Sequence, residues 1–478
     1  MSMLGLTDDT IAAIATAAGT GGLAVVRVSG ARALAVADAV FQGPACLSEA
    51  PSHTLHHGWA VWPAASARRD RPAVPDTPPR ALDEVVAAVF RAPRSYTRED
   101  VVELSCHGGE LPARRVLAAL LAAGARLARP GEFTLRAFLH GRIDLSQAEA
   151  VADLIGASTA RAHELALSQL SGELRRAVDS LADRLSDAVA EVEARVDFAE
   201  DVGGIEVPPH VVDAIATLDR ELAGLLATSA WARAVREGVR VPLVGRPNVG
   251  KSSLFNALLG EARSIVTELP GTTRDRVSEA IDLAGIRVTL SDTAGLRETA
   301  DVVESIGVAR TRETLAGAAV VLWVVDGASP LTVEDRRIAA ELSGARVVVA
   351  LNKSDRPRAI APPEIAALLN GGSGPIVEVS ATAGHGLADL RGAIASLLGA
   401  GRDPEGIGLA VGNLRHVEAI ERTRAALARA AGAAGDRLPG EIVAIELREA
   451  LAALGEVTGR SVDEDLLDRI FRKFCVGK

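Results

Sequence analysis

Over residues 1–140, short apolar runs alternate with stretches of helical spacing. Leu23 to Val28, Leu82 to Phe90 and Val101 to Leu104 read as strands, and Ala31 to Val40 and Leu111 to Ala123 as helices, which predicts an α+β domain. Ala64 to Arg80, rich in Pro, Ala and Arg, reads as an exposed excursion loop. From about Ser146 to Asp197 the pattern changes to long helices, with Leu165, Leu170, Leu174 and Val178 on apolar positions and few loop signals. Gly203, Gly204, Pro208 and Pro209 break it, and another helix is expected to about Arg236. From Gly238 to about Leu398, β-like runs alternate with helical ones, the pattern of a parallel-sheet α/β domain. Gly399 to Gly406 reads as a linker, after which helices resume. Helical segments on both sides of an α/β unit predict that the unit is inserted into a helical domain. The expected organisation is multidomain α/β: an N-terminal α+β domain at 1–140, a helical domain in two parts at 141–237 and 401–478, and the α/β domain at 238–400.

Composition narrows the picture. With 478 residues, 48% of them hydrophobic and 24% charged, the chain is globular and of multidomain length. A net charge of −10 argues against a nonspecific nucleic-acid binder, so an RNA partner would need a local basic patch. Cys46, Cys106 and Cys475 are scattered without metal-ligand spacing, which fits a reducing cytoplasm. No Lys or Arg precedes Arg27, so a secretory signal is not expected. The most apolar stretch, Ala318 to Val325, stops at Asp326, far short of the ~20 residues that span a bilayer. Among many arginines only Lys251, Lys353, Lys473 and Lys478 are lysines, which draws attention to each.

Two of those lysines lie in nucleotide-binding motifs. Gly245-Arg246-Pro247-Asn248-Val249-Gly250-Lys251-Ser252 follows the β-like run Val239 to Val244 and precedes a helical pattern at Ser253 to Leu259. In that context backbone N–H groups from Asn248 to Ser253 cradle phosphates, Lys251 reaches the outer phosphates and the Ser252 hydroxyl ligates magnesium. Asp292-Thr293-Ala294-Gly295 follows the run Val288 to Leu290, where an acid can hold the magnesium shell and the glycine can face the γ-phosphate. Asn352-Lys353-Ser354-Asp355 ends the run Val347 to Leu351, and the Asp355 carboxylate can accept two N–H bonds from guanine, a pair that adenine lacks. GTP is therefore expected over ATP. Ser380-Ala381, after Ile376 to Val379, would complete the base pocket. Four motifs in this order resemble the TRAFAC-type small GTP-binding domain.

Leu296 stands where a Ras-like enzyme places its water-orienting glutamine. Thr272-Thr273-Arg274-Asp275 reads as a switch loop, with Thr273 as a second magnesium ligand. Positive charge for the transition state could come from Arg274 or Arg276 as an arginine finger. It could also come from a monovalent cation held by the Asn248 side chain, which otherwise merely supports the loop turn.

Further runs extend the resemblance over nearly the whole chain. They are Arg94-Ser95-Tyr96-Thr97-Arg98-Glu99-Asp100, His107-Gly108-Gly109, Ala128-Arg129-Pro130-Gly131-Glu132-Phe133-Thr134, Asp144-Leu145-Ser146-Gln147-Ala148-Glu149-Ala150, Gly271 to Asp275, and the terminal Cys475-Val476-Gly477-Lys478. With these residues the chain resembles the bacterial tRNA-modifying GTPase family MnmE, also called TrmE. The resemblance implies a homodimer that binds tetrahydrofolate in its N-terminal domain and pairs its GTPase domains on GTP, Mg2+ and K+. It also implies a partner, the FAD-carrying flavoprotein MnmG (GidA), with which an aminomethyl or carboxymethylaminomethyl group is added at C5 of the wobble uridine of tRNA. The one-carbon unit would come from 5-formyl- or 5,10-methylene-tetrahydrofolate.

Carried over residue by residue, the family pattern assigns potassium to Asn248, Thr267, Leu269 and Thr272, and an indirect water-organising role to Glu304. It assigns folate contacts to Arg27, Glu103, Arg142 and Lys478, with Arg142 standing where the family usually has lysine. Cys475, with Lys478 beyond it, is expected to return to the folate pocket and meet the one-carbon chemistry. Two other readings compete: a GTPase switch in ribosome or RNA assembly, and a stand-alone folate aminomethyltransferase with a regulatory domain.

Overall fold

A computed structural model describes residues 9–63, 81–197, 207–262, 278–292, 319–369, 374–399 and 409–477. Its contacts divide the chain into two compact units, residues 1–152 with 455–478, and residues 153–454. The excursion loop at 64–80 lies outside the described residues.

In the first unit the order is β1 (Ile11–Ile14), β2 (Leu23–Ser29), α1 (Ala33–Asp38), β3 (Phe41–Gln42), β4 (Thr54–Val61), β5 (Ala81–Phe90), β6 (Val101–His107), α2 (Glu110–Ala122), β7 (Arg126–Leu127) and α3 (Glu132–Leu139). The strands form one sheet in the order β3-β4-β5-β6-β2-β1-β7, antiparallel throughout except for the β1–β7 pair. Alternation decides its two faces. Val26, Val28, Leu104, Cys106, Val85 and Ala87 point to one side, where Val116, Ala119 and Leu120 of α2 bury them. Each such large apolar side chain contributes about 1.5–3 kcal/mol.

On the other side Ile11 and Ala13 pack on Phe133 and Ala128, whereas Leu23, Leu55, Trp59 and Val86 stay exposed. The β4 run escaped the sequence reading because His56 and His57 interrupt its apolar pattern.

Arg136 of α3 is 1% exposed and pairs with Asp9, Glu99 and Glu132, while Arg126 pairs with Asp9 and Glu132. Burial alone would raise the Asp9 and Glu132 carboxyls, but the guanidinium bonds outweigh it and hold both below the usual carboxylate range. This cluster fixes α3 and the 97–100 loop against the sheet, because Glu99 also accepts a bond from Ser29 Oγ at 2.7 Å.

The remaining elements are α4 (Leu145–Gly156), α5 (Ala160–Leu170), α6 (Glu173–Asp197), α7 (Pro209–Ala227), α8 (Ser229–Glu237), β8 (Val239–Val244), α9 (Lys251–Ala262), β9 (Ser278–Leu283), β10 (Ile286–Asp292), β11 (Val321–Asp326), α10 (Val333–Glu341), β12 (Val347–Asn352), α11 (Pro362–Leu368), β13 (Ile376–Glu378), α12 (Leu387–Leu397), α13 (Leu414–Gly435), α14 (Gly440–Thr458) and α15 (Glu464–Phe471). α15 belongs to the first unit, where Leu467, Phe471 and Phe474 pack on Leu135 and Leu145. Beyond it the chain end is held. Gly131 N–H donates to the Cys475 carbonyl at 3.3 Å, and Val476 bridges Pro130. Gly477 sits at φ +95°, where a Cβ would lie 2.2 Å from the Ile14 carbonyl.

The second unit holds a sheet in the order β13-β12-β11-β8-β10-β9, parallel apart from the antiparallel edge strand β9. β11 and β12 are buried at every position, as strands covered on both faces must be. α9 and α12 cover one face with Leu254, Leu258, Leu390 and Ile394, and α10 and α11 cover the other with Ala339 and Ile365.

Helices lie on both sides of this α/β segment in the chain, α5 to α8 before it and α13 after it, so it is inserted between helical halves. α7 and α13 are joined by Arg424 and Asp219 at 2.7 Å. Two expected helical stretches are subdivided. Thr159 caps α5 by accepting from Ala162 N–H, and Gly172 turns at φ +83° before α6. Thr228 separates α7 from α8, its hydroxyl donating to the Leu225 carbonyl.

Candidate functional site

The phosphate-loop motif joins β8 to α9 as its spacing requires. Gly245, at φ +154°, passes so close to β11 that a Cβ would stand 2.4 Å from the Val324 carbonyl. Asn248 adopts φ +61°, which asparagine tolerates better than most residues. Lys251 is buried, and its ammonium donates to the Gly245 and Arg246 carbonyls at 2.7 and 2.9 Å, inside the curl of the loop. Ser252 and Ser253 occupy the exposed first turn of α9. A buried ammonium, a glycine curl and the positive end of a helix are together suited to hold a phosphate.

The base motifs are stitched to this loop. Asn352 donates from Nδ2 to the Val249 carbonyl at 2.9 Å and accepts from Ala381 N–H at 3.1 Å, so one carboxamide ties three loops together. Lys353, at φ +67°, donates to the Asn248 carbonyl at 3.0 Å and to Asp326 Oδ2 at 2.7 Å. Asp355 is exposed and accepts from Ser380 Oγ at 2.6 Å. That bond holds its carboxyl below the usual range, keeping it a charged acceptor.

A second constellation lies on the side of the first unit's sheet opposite α2. Arg27 and Glu103 face each other in register on β2 and β6, and Arg27 Nε donates to Glu103 Oε1 at 2.7 Å. Their side chains keep 17% and 26% exposure. The Arg27 guanidinium lies 5.3 Å from the Tyr96 ring centre and 5.5 Å from that of Phe133, and the Arg142 guanidinium lies 4.8 Å from the same Tyr96 ring. One carboxylate and two cations around an aromatic floor suit a flat, polar, anionic ligand.

Two family models match this chain: "GTP-binding protein TrmE N-terminus" over residues 10–142, and "MnmE helical domain" over residues 145–475, more than half of the chain. The tRNA modification GTPase MnmE of Symbiobacterium thermophilum is 48% identical over 98% of this chain and 100% of that protein. Those of Geobacillus kaustophilus and Bacillus subtilis are 43% and 42% identical, again over 98% of this chain, and over 99% and 100% of their own lengths. The chain belongs to the MnmE family. Among solved structures, the G domain of the T. maritima FeoB iron transporter is 29% identical over 33% of this chain and 98% of that one, with a TM-score of 0.26.

Several positions that the MnmE pattern singles out lie outside the described residues: Thr267, Leu269, Thr272, Thr273, Thr293, Ala294, Gly295, Glu304 and Lys478, with Arg274, Arg276 and Leu296. The backbone of Asp292 is described, and it pairs with Leu243 of β8, one strand from the phosphate loop. Cys475 is a free, exposed thiol on the segment that Gly131 anchors.

Arg114 pairs with Glu110, Arg175 with Asp179 and Arg472 with Asp468, each with an acid four residues away. No helix among the described residues is long and apolar enough to cross a membrane.

Sequence reasoning assigned no role to Asp326, Asp335 or Tyr96. Arg246 Nε approaches Asp335 Oδ2 at 3.2 Å, and Asp335 is 1% exposed in the capping box of α10. Asp326 takes the Lys353 ammonium, which keeps its carboxyl below the usual range against the opposing effect of burial. Its position was the available signal: it ends a parallel strand, where ligand sites of α/β sheets gather.

Proposed function

We propose that this chain hydrolyses GTP and, with a flavoprotein partner of the MnmG kind, adds an aminomethyl or carboxymethylaminomethyl group to C5 of the wobble uridine of tRNA. The observation that carries the GTP part is the stitching of the phosphate loop to the base motif through Asn352 and Lys353. It joins the loop from Gly245 to Ser252 to the loop from Asn352 to Asp355, which supports their acting as one nucleotide site. In this reading the Lys251 ammonium exchanges its loop carbonyls for phosphate oxygens. Asp355 accepts from guanine, and Ser380 keeps that carboxylate oriented.

Ser252 and Thr273 would hold magnesium, which neutralises phosphate charge. Asn248 with Thr267, Leu269 and Thr272 would hold potassium near the phosphates. The Asn248 carbonyl is taken by Lys353, while its carboxamide makes no hydrogen bond to a described residue, which leaves it available as a ligand. Glu304 would organise the attacking water from the second switch.

The Arg27, Glu103 and Arg142 constellation fits a tetrahydrofolate, which supplies the one-carbon unit when bound: Glu103 accepts from the pterin N–H edge, and the guanidiniums hold the ligand's carboxylates. Lys478 and Cys475 would reach the same ligand from the anchored chain end. The exposed Leu23, Leu55, Trp59 and Val86 on that side of the sheet support pairing with a second copy of the chain, as a cytoplasmic homodimer.

Rates of GTP hydrolysis in potassium and in sodium test the cation site. Potassium should accelerate the reaction, and Asn248→Ala should abolish the difference while GTP still binds. Equal rates in the two salts would remove the cation from the reading. Mass analysis of wobble uridines in a deletion strain, with and without this gene restored, tests the modification.

A further inference from the structure

The segment Ser95 to Glu99 is tied down by hydrogen bonds within itself and to Arg136 and His140. Ser95 Oγ donates to the Glu99 carbonyl at 2.5 Å, Arg98 donates to the His140 carbonyl at 2.8 Å, and the His140 ring bonds the Thr97 carbonyl at 2.6 Å. Glu99 is locked to Arg136. All of this holds one exposed-side ring in place. Tyr96 is fixed at its tip as well, where its hydroxyl bonds Thr134 Oγ1 at 2.9 Å, and Thr134 is fully buried.

Two guanidiniums, Arg27 and Arg142, share that ring. Their charges are not equally met: Glu103 neutralises Arg27, while no carboxylate among the described residues pairs with Arg142. Two cations gathered on one ring repel each other, and beside Glu103 the ring's negative face offsets this until a ligand anion arrives.

We propose that Tyr96 is a positioning residue that seats Arg27 and Arg142 together for an anionic, flat heterocyclic ligand. The ligand class rests on the folate reading above. The ring sets where the two cations stand, Thr134 sets the ring, and the ligand's carboxylates supply the charge that Arg142 lacks. The phenol hydroxyl acts only on the ring's tilt, so an aromatic ring without it should still serve.

Tyr96 is the only tyrosine in the chain, which gives the test a single reporter. Full-length protein carrying 13C-labelled tyrosine is titrated with 5-formyltetrahydrofolate, and affinity is measured in parallel by calorimetry. The ring resonance should move on binding, and Arg142→Gln should move it in the absence of ligand. Tyr96→Phe should keep the affinity within about twofold and Tyr96→Leu should lose about tenfold or more, with GTP hydrolysis unchanged and affinity measured below each variant's melting transition. If Tyr96→Leu proves unstable, the shift that Arg142→Gln causes in the Tyr96 ring resonance, read at several salt concentrations, reports the same coupling.

Absence of folate binding by the unaltered protein would overturn the ligand reading and the proposal with it. Normal binding that Tyr96→Leu leaves unchanged, or a ring resonance indifferent to both ligand and Arg142→Gln, would overturn the role of Tyr96 alone.

Discussion

The nucleotide loops and the sheet-face constellation present polar groups by opposite means. At the phosphate loop the recognising groups are mostly backbone, held by glycine conformations and by side chains such as Asn352 and Lys353 that bind other loops. On the sheet face they are side chains: two arginines, one glutamate and an aromatic floor, supported by a buried ion cluster. Backbone donors are supplied by any residue that can adopt the required φ and ψ, so that site is vulnerable to added bulk. A side-chain site tolerates bulk at its edges and is vulnerable to lost charge.

The largest effect expected from this contrast is at Gly250. It stands at φ +96°, and a Cβ there would lie 2.3 Å from Asn352 Nδ2. Gly250→Ala should break the stitch, and the strain of about 1–3 kcal/mol plus the lost bond should weaken GTP binding by roughly a hundredfold or more. Fluorescent-nucleotide titration reads this, with folate affinity as the unaffected comparison. If GTP bound normally, the loop would not depend on backbone shape.

Next comes Glu132, 2% exposed among Arg126 and Arg136. Removing one partner of a buried ion pair costs about 3 kcal/mol, so Glu132→Gln should lower the stability of the first unit at pH 7 by about that much. The pH dependence has a definite sign. Because the folded Asp9 and Glu132 carboxyls lie below their unfolded values, their stabilisation is complete above pH about 5 and is lost as pH falls through the folded values. Denaturant midpoints between pH 7 and pH 2 should therefore fall less steeply for Glu132→Gln than for the unaltered chain. Parallel slopes would mean that the cluster is not what acid disrupts.

The smallest effect sharpens the comparison, since Asp355 is the side-chain element within the backbone-built site. Asp355→Asn replaces a charged acceptor by an amide, and loss of charge-assisted bonds should reduce GTP affinity by roughly tenfold to a hundredfold while favouring xanthosine triphosphate. Competition between the two nucleotides measures it. Unchanged GTP affinity would place the base elsewhere.

Much of the nucleotide site was legible because its chemistry is local. Gly245 to Ser252 carries its own strand, turn and helix start, and the run Val347 to Leu351 announces the strand that delivers Asn352 to Asp355. The helical stretches were legible as helical but not as separate helices, because Thr159 and Thr228 end or begin them by single hydrogen bonds that apolar spacing does not register. On the sheet face, Arg27, Glu103 and Arg142 came from family resemblance, since an arginine in a strand looks like surface charge when its neighbour is unknown.

What the sequence determined by itself was the class of fold, the order of the nucleotide motifs and the preference for guanine, because each depends on residues within one strand and its following loop. Only the tertiary structure decided that Asn352 serves the loops through its carboxamide, that Asp326 and Asp335 carry the cations of Lys353 and Arg246, and that Arg27 meets Glu103 across β2 and β6. It also decided that Arg27 and Arg142 share Tyr96. The physical reason is range: backbone conformation follows from neighbours along the chain, whereas ion pairs and cation–ring contacts act over a few ångströms in space between residues far apart in sequence, and their partners are known only once strand register and loop packing are set.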